Sequence, residues 1–165
     1  MNQINRRLEA NRSGTARGNL QLVHPSIPTV TQPTTEADFD VMRRAFFIYG
    51  GMPSGDEVLR LARMFEDVPI SAVAMPIATR RVVSVAYRGA LLLPNFQFEP
   101  GTLRVRGPVS TVISELRAVR DDWHLALWFA LPSAALGGTR PVDGLDERPL
   151  EICAAARAER IGRCG

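Results

Sequence analysis

Asp122–Leu145 reads DWHLALWFALPSAALGGTRPVDGL, and the interpretation of this stretch decides the fold. Asp121-Asp122 places acidic residues where a helix N-terminus accepts them. An apolar run with both tryptophans, Trp123 and Trp128, follows until Pro132 stops it. Gly137-Gly138-Thr139-Arg140-Pro141 then reads as turn chemistry. The stretch therefore predicts a buried helix, a sharp corner and a second helix. Trp123, Leu125, Leu127, Trp128, Phe129 and Leu131 cover nearly the whole helix circumference, more than one packed face can hide. Such a helix is the centre of a bundle, or it also meets another chain; for Trp128 both readings stay open.

Working outward, Val109, Val112, Ile113, Leu116 and Val119 follow i, i+3, i+4, i+7 spacing and predict an amphipathic helix before the stretch. The tight connection between the two predicts antiparallel packing. After the corner, Pro149 to Arg160 reads as a last helix with Ile152, Ala155 and Ala156 inward and arginines at its C-terminal end. Pro100-Gly101 and Gly107-Pro108 bracket a link, so residues 101–165 are expected to form a helical bundle of their own.

Residues 34–100 carry a different pattern. Thr35 with Asp38 resembles a capping box, Phe39, Met42 and Phe46 recur at helical spacing, and Gly50-Gly51 stops that helix. Ser54 and Glu57 form a second capping box ahead of Val58, Leu61, Ala62 and Phe65. A third helix is expected from Pro69 to about Thr79, short or bent because Pro76 lies inside it. Arg81–Tyr87 and Ala90–Leu93 then read as two strands around an Arg88-Gly89 turn, with Phe96 and Phe98 alternating around Gln97 as a cover. Three short helices and a hairpin are the order of a winged helix-turn-helix. The third helix, PISAVAMPIAT, has no charged residue for reading bases, which favours a scaffold over base readout. Arg80, Arg81 and Arg88 lie where phosphate contacts would fall. The fold expected is mainly α: a degenerate winged helix-turn-helix-like unit with one β-hairpin, then a C-terminal helical bundle.

Residues 1–33 read as a disordered basic leader. They hold four arginines against Glu9, whereas residues 34–165 hold 16 arginines and 16 acids, so the net charge of +3 lies in the leader. No apolar run reaches the ~20 residues of a membrane span, and no secretory signal opens the chain, so the expected location is the cytoplasm. The two cysteines and two histidines make no metal-ligand spacing, and Cys153 and Cys164 are not expected to pair. His124, at the start of an apolar helix, has no nucleophile partner in the pattern, and no Gly-rich loop joins a strand to a helix. The residues argue against an enzyme, a metal site or a cofactor.

The C-terminal half resembles the toxin-binding domain of Xre/MbcA/ParS-type antitoxins, the partners of RES-domain toxins. That family's pattern is an amphipathic helix, a helix ending in Trp-hydrophobic-x-x-Pro, a leucine, Gly-x-x-Pro and a further helix. It is matched here by Ala126, Trp128, Leu131-Pro132, Leu136-Gly137-Gly138-Thr139-Arg140-Pro141, Asp143 and Leu145. Leu93-Pro94-Asn95-Phe96-Gln97-Phe98 is similar to a YPAFQF segment just upstream in relatives, with Leu and Asn in place of Tyr and Ala. The match runs from about Gly89 to Arg160.

The resemblance implies a homodimeric antitoxin that covers the active site of an NAD-degrading RES-type toxin and also represses its operon through operator DNA. Candidate toxin contacts are Trp128, Leu136, Arg140, Pro141, Arg160 and Arg163. The residues themselves allow other roles: Trp128 as core, Arg140 as a turn residue paired with Asp143, Arg160 and Arg163 as tail. The rival expectation is a winged-helix transcriptional regulator dimerised by its C-terminal half.

Overall fold

The computed structural model describes residues 36–64 and 71–164, and is mainly α with one two-stranded hairpin. The basic leader, the Thr35 half of the first capping box, Phe65, Pro69 and Ile70 lie outside the described residues. Helix α1, Glu36–Phe46, carries acids in its first turn and arginines in its last, each matched to the end of the helix dipole it faces. A 3-10 turn, Phe47–Tyr49, continues it until Gly50, whose φ of 90° needs no Cβ to avoid. A Cβ there would also run into the side chain of Asn95, which donates from Nδ2 to the Tyr49 carbonyl at 3.2 Å.

Helix α2, Gly55–Ala62, opens with the expected capping box: Ser54 Oγ accepts from the Glu57 N–H, and the Ser54 N–H donates to Glu57 at 2.7 Å. Val58 and Ala62 are buried, but Leu61, expected on the same face, is 50% exposed. The core that α2 faces is small, Val58, Ala62, Val82 and Leu93, and too narrow to cover a third position. Helix α3, Ser71–Ala78, contains Pro76 and ends with the Arg81 N–H reaching back to the Pro76 carbonyl at 2.7 Å. The Arg80 N–H bonds the Ile77 carbonyl at 3.0 Å, completing a Schellman-type end.

Strands β1, Val85–Tyr87, and β2, Ala90–Leu92, pair antiparallel with Val85 opposite Leu92. Both turn residues are left-handed, Arg88 with φ 47° and Gly89 with φ 79°, as a two-residue hairpin requires. The first strand is shorter than the expected 81–87. Its β-branched start leaves the ladder because the side chain of Gln97 takes both backbone groups of Val83. The far edge of β2 is covered by residues 53–54, through a Ser54–Leu92 bridge and the Leu93 N–H bonded to the Pro53 carbonyl. Phe39 stacks on Tyr87 with centroids 3.6 Å apart, fixing α1 against the hairpin.

Helices α4, Gly107–Leu116, α5, Asp122–Ala130, and α6, Pro149–Cys164, make up the C-terminal half, with 3-10 turns at Ala134–Leu136 and Pro141–Gly144 between α5 and α6. The expected antiparallel α4–α5 pair is not the main packing. α4 lies chiefly against α6, and α5 chiefly against α1. The reason is the breadth of the apolar surface on α5, which is buried at every position from Leu125 to Ala130 and so needs neighbours on all sides. One core therefore runs across the link at residue 100. It joins Met42, Phe46, Val85 and Phe96 to Val112, Leu116, Phe129, Leu145 and Ile152. Phe96 is its hinge, tilted against Phe46 and Phe129 with both centroids 4.8 Å away. Among the described residues no helix is long and apolar enough to cross a membrane.

Candidate functional site

The site singled out by the sequence is the corner from the end of α5 to the start of α6. Its entry is set by Asp121, whose carboxylate accepts the His124 N–H at 2.8 Å as an N-cap. Burial works to raise the Asp121 pKa, but the backbone and ring hydrogen bonds from His124 outweigh it and hold the group below its ordinary range. His124 itself is exposed and engaged with Asp121 at 2.8 Å. Among the described residues no group of three or more His, Cys, Asp or Glu is placed to hold a metal ion.

At the exit of α5 the chain folds onto itself. The Gly138 N–H bonds the Ser133 carbonyl at 2.9 Å, and the Ser133 N–H bonds the Thr139 carbonyl at 3.1 Å. Closing so short a ring takes two consecutive left-handed residues, Gly137 with φ 63° and Gly138 with φ 83°. Arg140 then clasps Asp143 with two parallel hydrogen bonds, 2.6 and 2.9 Å, and Asp143 also accepts the Tyr49 hydroxyl at 2.9 Å. Burial first, then this bond to Asp143, pushes the Tyr49 pKa up to about 12. The corner is thereby tied to the end of α1. Beside it opens a cleft of about 560 Å³, lined by Tyr49, Leu61, Phe98, Leu103 and the Arg106–Asp146 ion pair.

Helix α6 is fastened by two carboxylates. Glu115 of α4 accepts from Arg157 at 3.1 Å and Arg160 at 2.7 Å, and these bonds hold its pKa below the usual carboxylate range. Glu159 accepts Trp128 Nε1–H and Arg120 Nε–H, each at 2.7 Å, and pairs with Arg163 at 3.3 Å. The outer face of α6 is different. Leu150 is 84% exposed and Ile161 60% exposed. They are eleven positions apart, three helical turns, with exposed Ala154, Arg157 and Ala158 between them. Leu150, Ala154, Ala158 and Ile161 form a mostly apolar stripe, crossed by Arg157, that is left uncovered by the described chain.

The candidate contact residues thus divide. Trp128 and Leu136, 8% and 6% exposed, and Pro141 are buried in the chain's own core. Arg140 is the clasp of the corner, and Arg160 and Arg163 pair with Glu115 and Glu159. Of the arginines expected near phosphates, Arg80 pairs with Asp122 at 2.8 Å and Arg88 with Glu36 at 2.9 Å, while Arg81 is exposed. Sequence reasoning missed Gln97, Glu115, Glu159 and Tyr49. Only the first carried a signal: a glutamine between two phenylalanines behind a proline is out of place on a strand cover.

These features define a mainly α protein with one hairpin, organised around an all-round apolar helix and a closed glycine corner. Compared with known proteins, the chain matches no family model, no curated protein and no solved structure.

Proposed function

We propose that this chain is an antitoxin of the Xre/MbcA/ParS type, a binding protein that neutralises an NAD-degrading RES-domain toxin in the cytoplasm and acts as a homodimer. The observation that carries the reading is the closed corner. The residues that resemble the family's toxin-binding motif converge there into one rigid turn between α5 and α6. With Trp128, Leu136 and Pro141 buried, their part is to shape this turn. The contact surface is then what the turn presents: exposed Leu131-Pro132, Gly137-Gly138 and the stripe from Leu150 to Ile161. Exposed apolar side chains ordered on one rigid helix are what a protein partner can bury without a large ordering cost.

The rival reading, a winged-helix regulator, has less behind it. The described exposed side chains within α3 are Ser71, Ala74, Met75 and Ala78, with no guanidinium or amide to pair with a base edge, and Arg80 just beyond it is held by Asp122. Operon repression through α3 is for that reason the weaker part of the family's expectation.

The test is co-expression with a RES-type toxin. Growth arrest by the toxin should be relieved by this chain, and should return with Leu150→Glu/Ile161→Glu, a variant whose melting temperature stays within a few degrees of the parent. Arrest that persists beside the unmodified, soluble chain ends the proposal. Light scattering that gives a monomer's mass removes the dimer from it.

A further inference from the structure

A projection and a cleft adjoin on one face of the molecule. The 3-10 turn that carries Tyr49 into the lining of the cleft also carries Phe47 and Ile48 outward, 77% and 70% exposed. Leu61, half-exposed, lines the same cleft from α2, and Met64, one turn further along that side, is 75% exposed. Single exposed leucines are ordinary on a protein surface, but four large apolar side chains gathered at one open cleft are not.

The projecting turn is held at both ends. The Gly51 N–H bonds the Phe46 carbonyl at 2.9 Å, the Gly50 N–H bonds the Phe47 carbonyl at 3.2 Å, and Asn95 Nδ2 donates to the Tyr49 carbonyl at 3.2 Å. Phe47 and Ile48 are therefore presented on fixed backbone, and burying them needs little further ordering. The cleft, about 560 Å³ with Phe98 and Leu103 among its walls, has the volume and the apolar lining to take an aromatic side chain.

Three features select a second copy of this chain as the occupant. A projection and a recess on the same patch are what a two-fold pair uses, since each copy's projection then enters the other's recess. The charges are arranged to match. Exposed Arg60 and Arg63 flank Leu61 and Met64 on α2, whereas Glu99 and Asp146, both exposed, line the cleft. A two-fold axis through the patch sets the basic flank of one copy against the acidic lining of the other. The extent also fits: the four apolar side chains expose roughly 500 Å² together, and the cleft walls bring the patch towards the ~800 Å² per partner of a standard interface.

We propose that two copies of the chain pair through this face, with Phe47 and Ile48 of each seated in the cleft of the other. The inference rests on the homodimer of the proposed function and not on its toxin. It leaves the outer stripe of α6 free.

Sedimentation velocity on the full-length chain, from low micromolar to about 100 μM, tests it. The parent should be dimeric, and Phe47→Glu should raise the dimer dissociation constant about a hundredfold or more. Met64→Glu should act in the same direction, and Leu150→Glu/Ile161→Glu should leave the constant unchanged. Because Phe47 is mostly exposed, the Phe47→Glu monomer should keep the parent's circular dichroism spectrum. A Phe47→Glu chain that dimerises like the parent overturns the assignment of this face and leaves the homodimer standing elsewhere. A parent that is monomeric throughout removes both. A dimer that forms only after residues 1–33 are deleted gives the cleft to that segment and likewise overturns the pairing. Growth relief in the toxin assay is read separately, so failure of the toxin reading is not confused with failure of this one.

Discussion

Gln97→Leu is the substitution that most directly tests the buried polar network behind the hairpin. Gln97 is fully buried and is the sole polar residue in the described core. Its Oε1 accepts the Val83 N–H at 2.7 Å, and its Nε2 donates to the carbonyls of Val83 and Pro94, both at 2.9 Å. Leucine fills nearly the same volume, so packing changes little and three backbone groups lose their partner. Val83 has no exposed surface, which leaves water no approach to two of the three. At about 1–3 kcal/mol for each orphaned group, with partial relaxation, the cost is roughly 3–6 kcal/mol. Against a total of about 5–15 kcal/mol for a domain, that is a large share. Urea unfolding should show the midpoint falling with an unchanged slope. A loss below about 1 kcal/mol would refute the reasoning, because it would mean that these carbonyls and the N–H find other partners at no cost.

The same position gains a pH dependence when it is made acidic. In Gln97→Glu the ionised carboxylate still accepts the Val83 N–H but faces two carbonyls with no donor to offer. The protonated acid recovers one donor. Burial and the carbonyls therefore raise the folded-state pKa above the unfolded value of about 4.3. A raised pKa contributes stability that is fully present below the unfolded value and is lost as pH rises through the folded one. The variant should gain melting temperature on mild acidification over that window. If its melting temperature does not rise there, the buried network is misassigned.

Trp128→Ala should cost about 3–5 kcal/mol by chemical unfolding, and Trp128→Phe, which keeps most of the packing and drops the bond to Glu159, about 1.5–3 kcal/mol. Equal costs would mean that the indole N–H contributes nothing. Glu115 sits below its ordinary pKa, so it contributes stability above the unfolded carboxylate value that is lost as pH falls through the folded one. Glu115→Gln should accordingly lower stability at neutral pH and flatten the acid limb of the melting profile; an unchanged acid limb rules out the α4–α6 clasp as its source. Arg140→Ala, at a partly exposed pair, should cost about 1 kcal/mol or less in melting yet weaken toxin neutralisation by loosening the corner, and a variant that neutralises fully means that the Arg140–Asp143 clasp is not what holds the proposed contact surface in place.

What could be read from the sequence was what is encoded locally. The Ser54–Glu57 box, the stop at Gly50, the Arg88-Gly89 turn and the Pro132–Gly138 corner each depend on residues within a few positions of one another. The all-round apolar character of α5 announced burial, and burial is what it has. Neighbours are not legible, since periodicity gives the width of an apolar face and not what lies on it; the tight connection suggests α4 as the neighbour of α5, whereas α5 packs chiefly on α1. Long-range polar partners were invisible for the same reason. Trp128 and Glu159 are 31 positions apart, and Glu115 and Arg160 are 45 apart. Residues 81–84 look like strand on β-branched propensity alone, and a glutamine side chain fourteen positions away takes the hydrogen bonds that a neighbouring strand would have supplied.

The burial of Trp128, Leu136 and Pro141 changes what a motif of this kind can be taken to encode. If these residues were the contacts themselves, they would have to be exposed before the partner arrives, and here they are not. Their spacing instead fixes the angle between α5 and α6: the indole hydrogen-bonds a carboxylate on α6, the two glycines close the turn, and Arg140 locks it to Asp143. The angle determines where the outer stripe of α6 points. Losing a motif residue would then abolish partner binding through the turn and the core, together with a loss of stability. Losing Leu150 or Ile161 would abolish binding with the fold intact. The two kinds of variant fail in different ways, and that difference, more than the motif, locates the surface a partner touches.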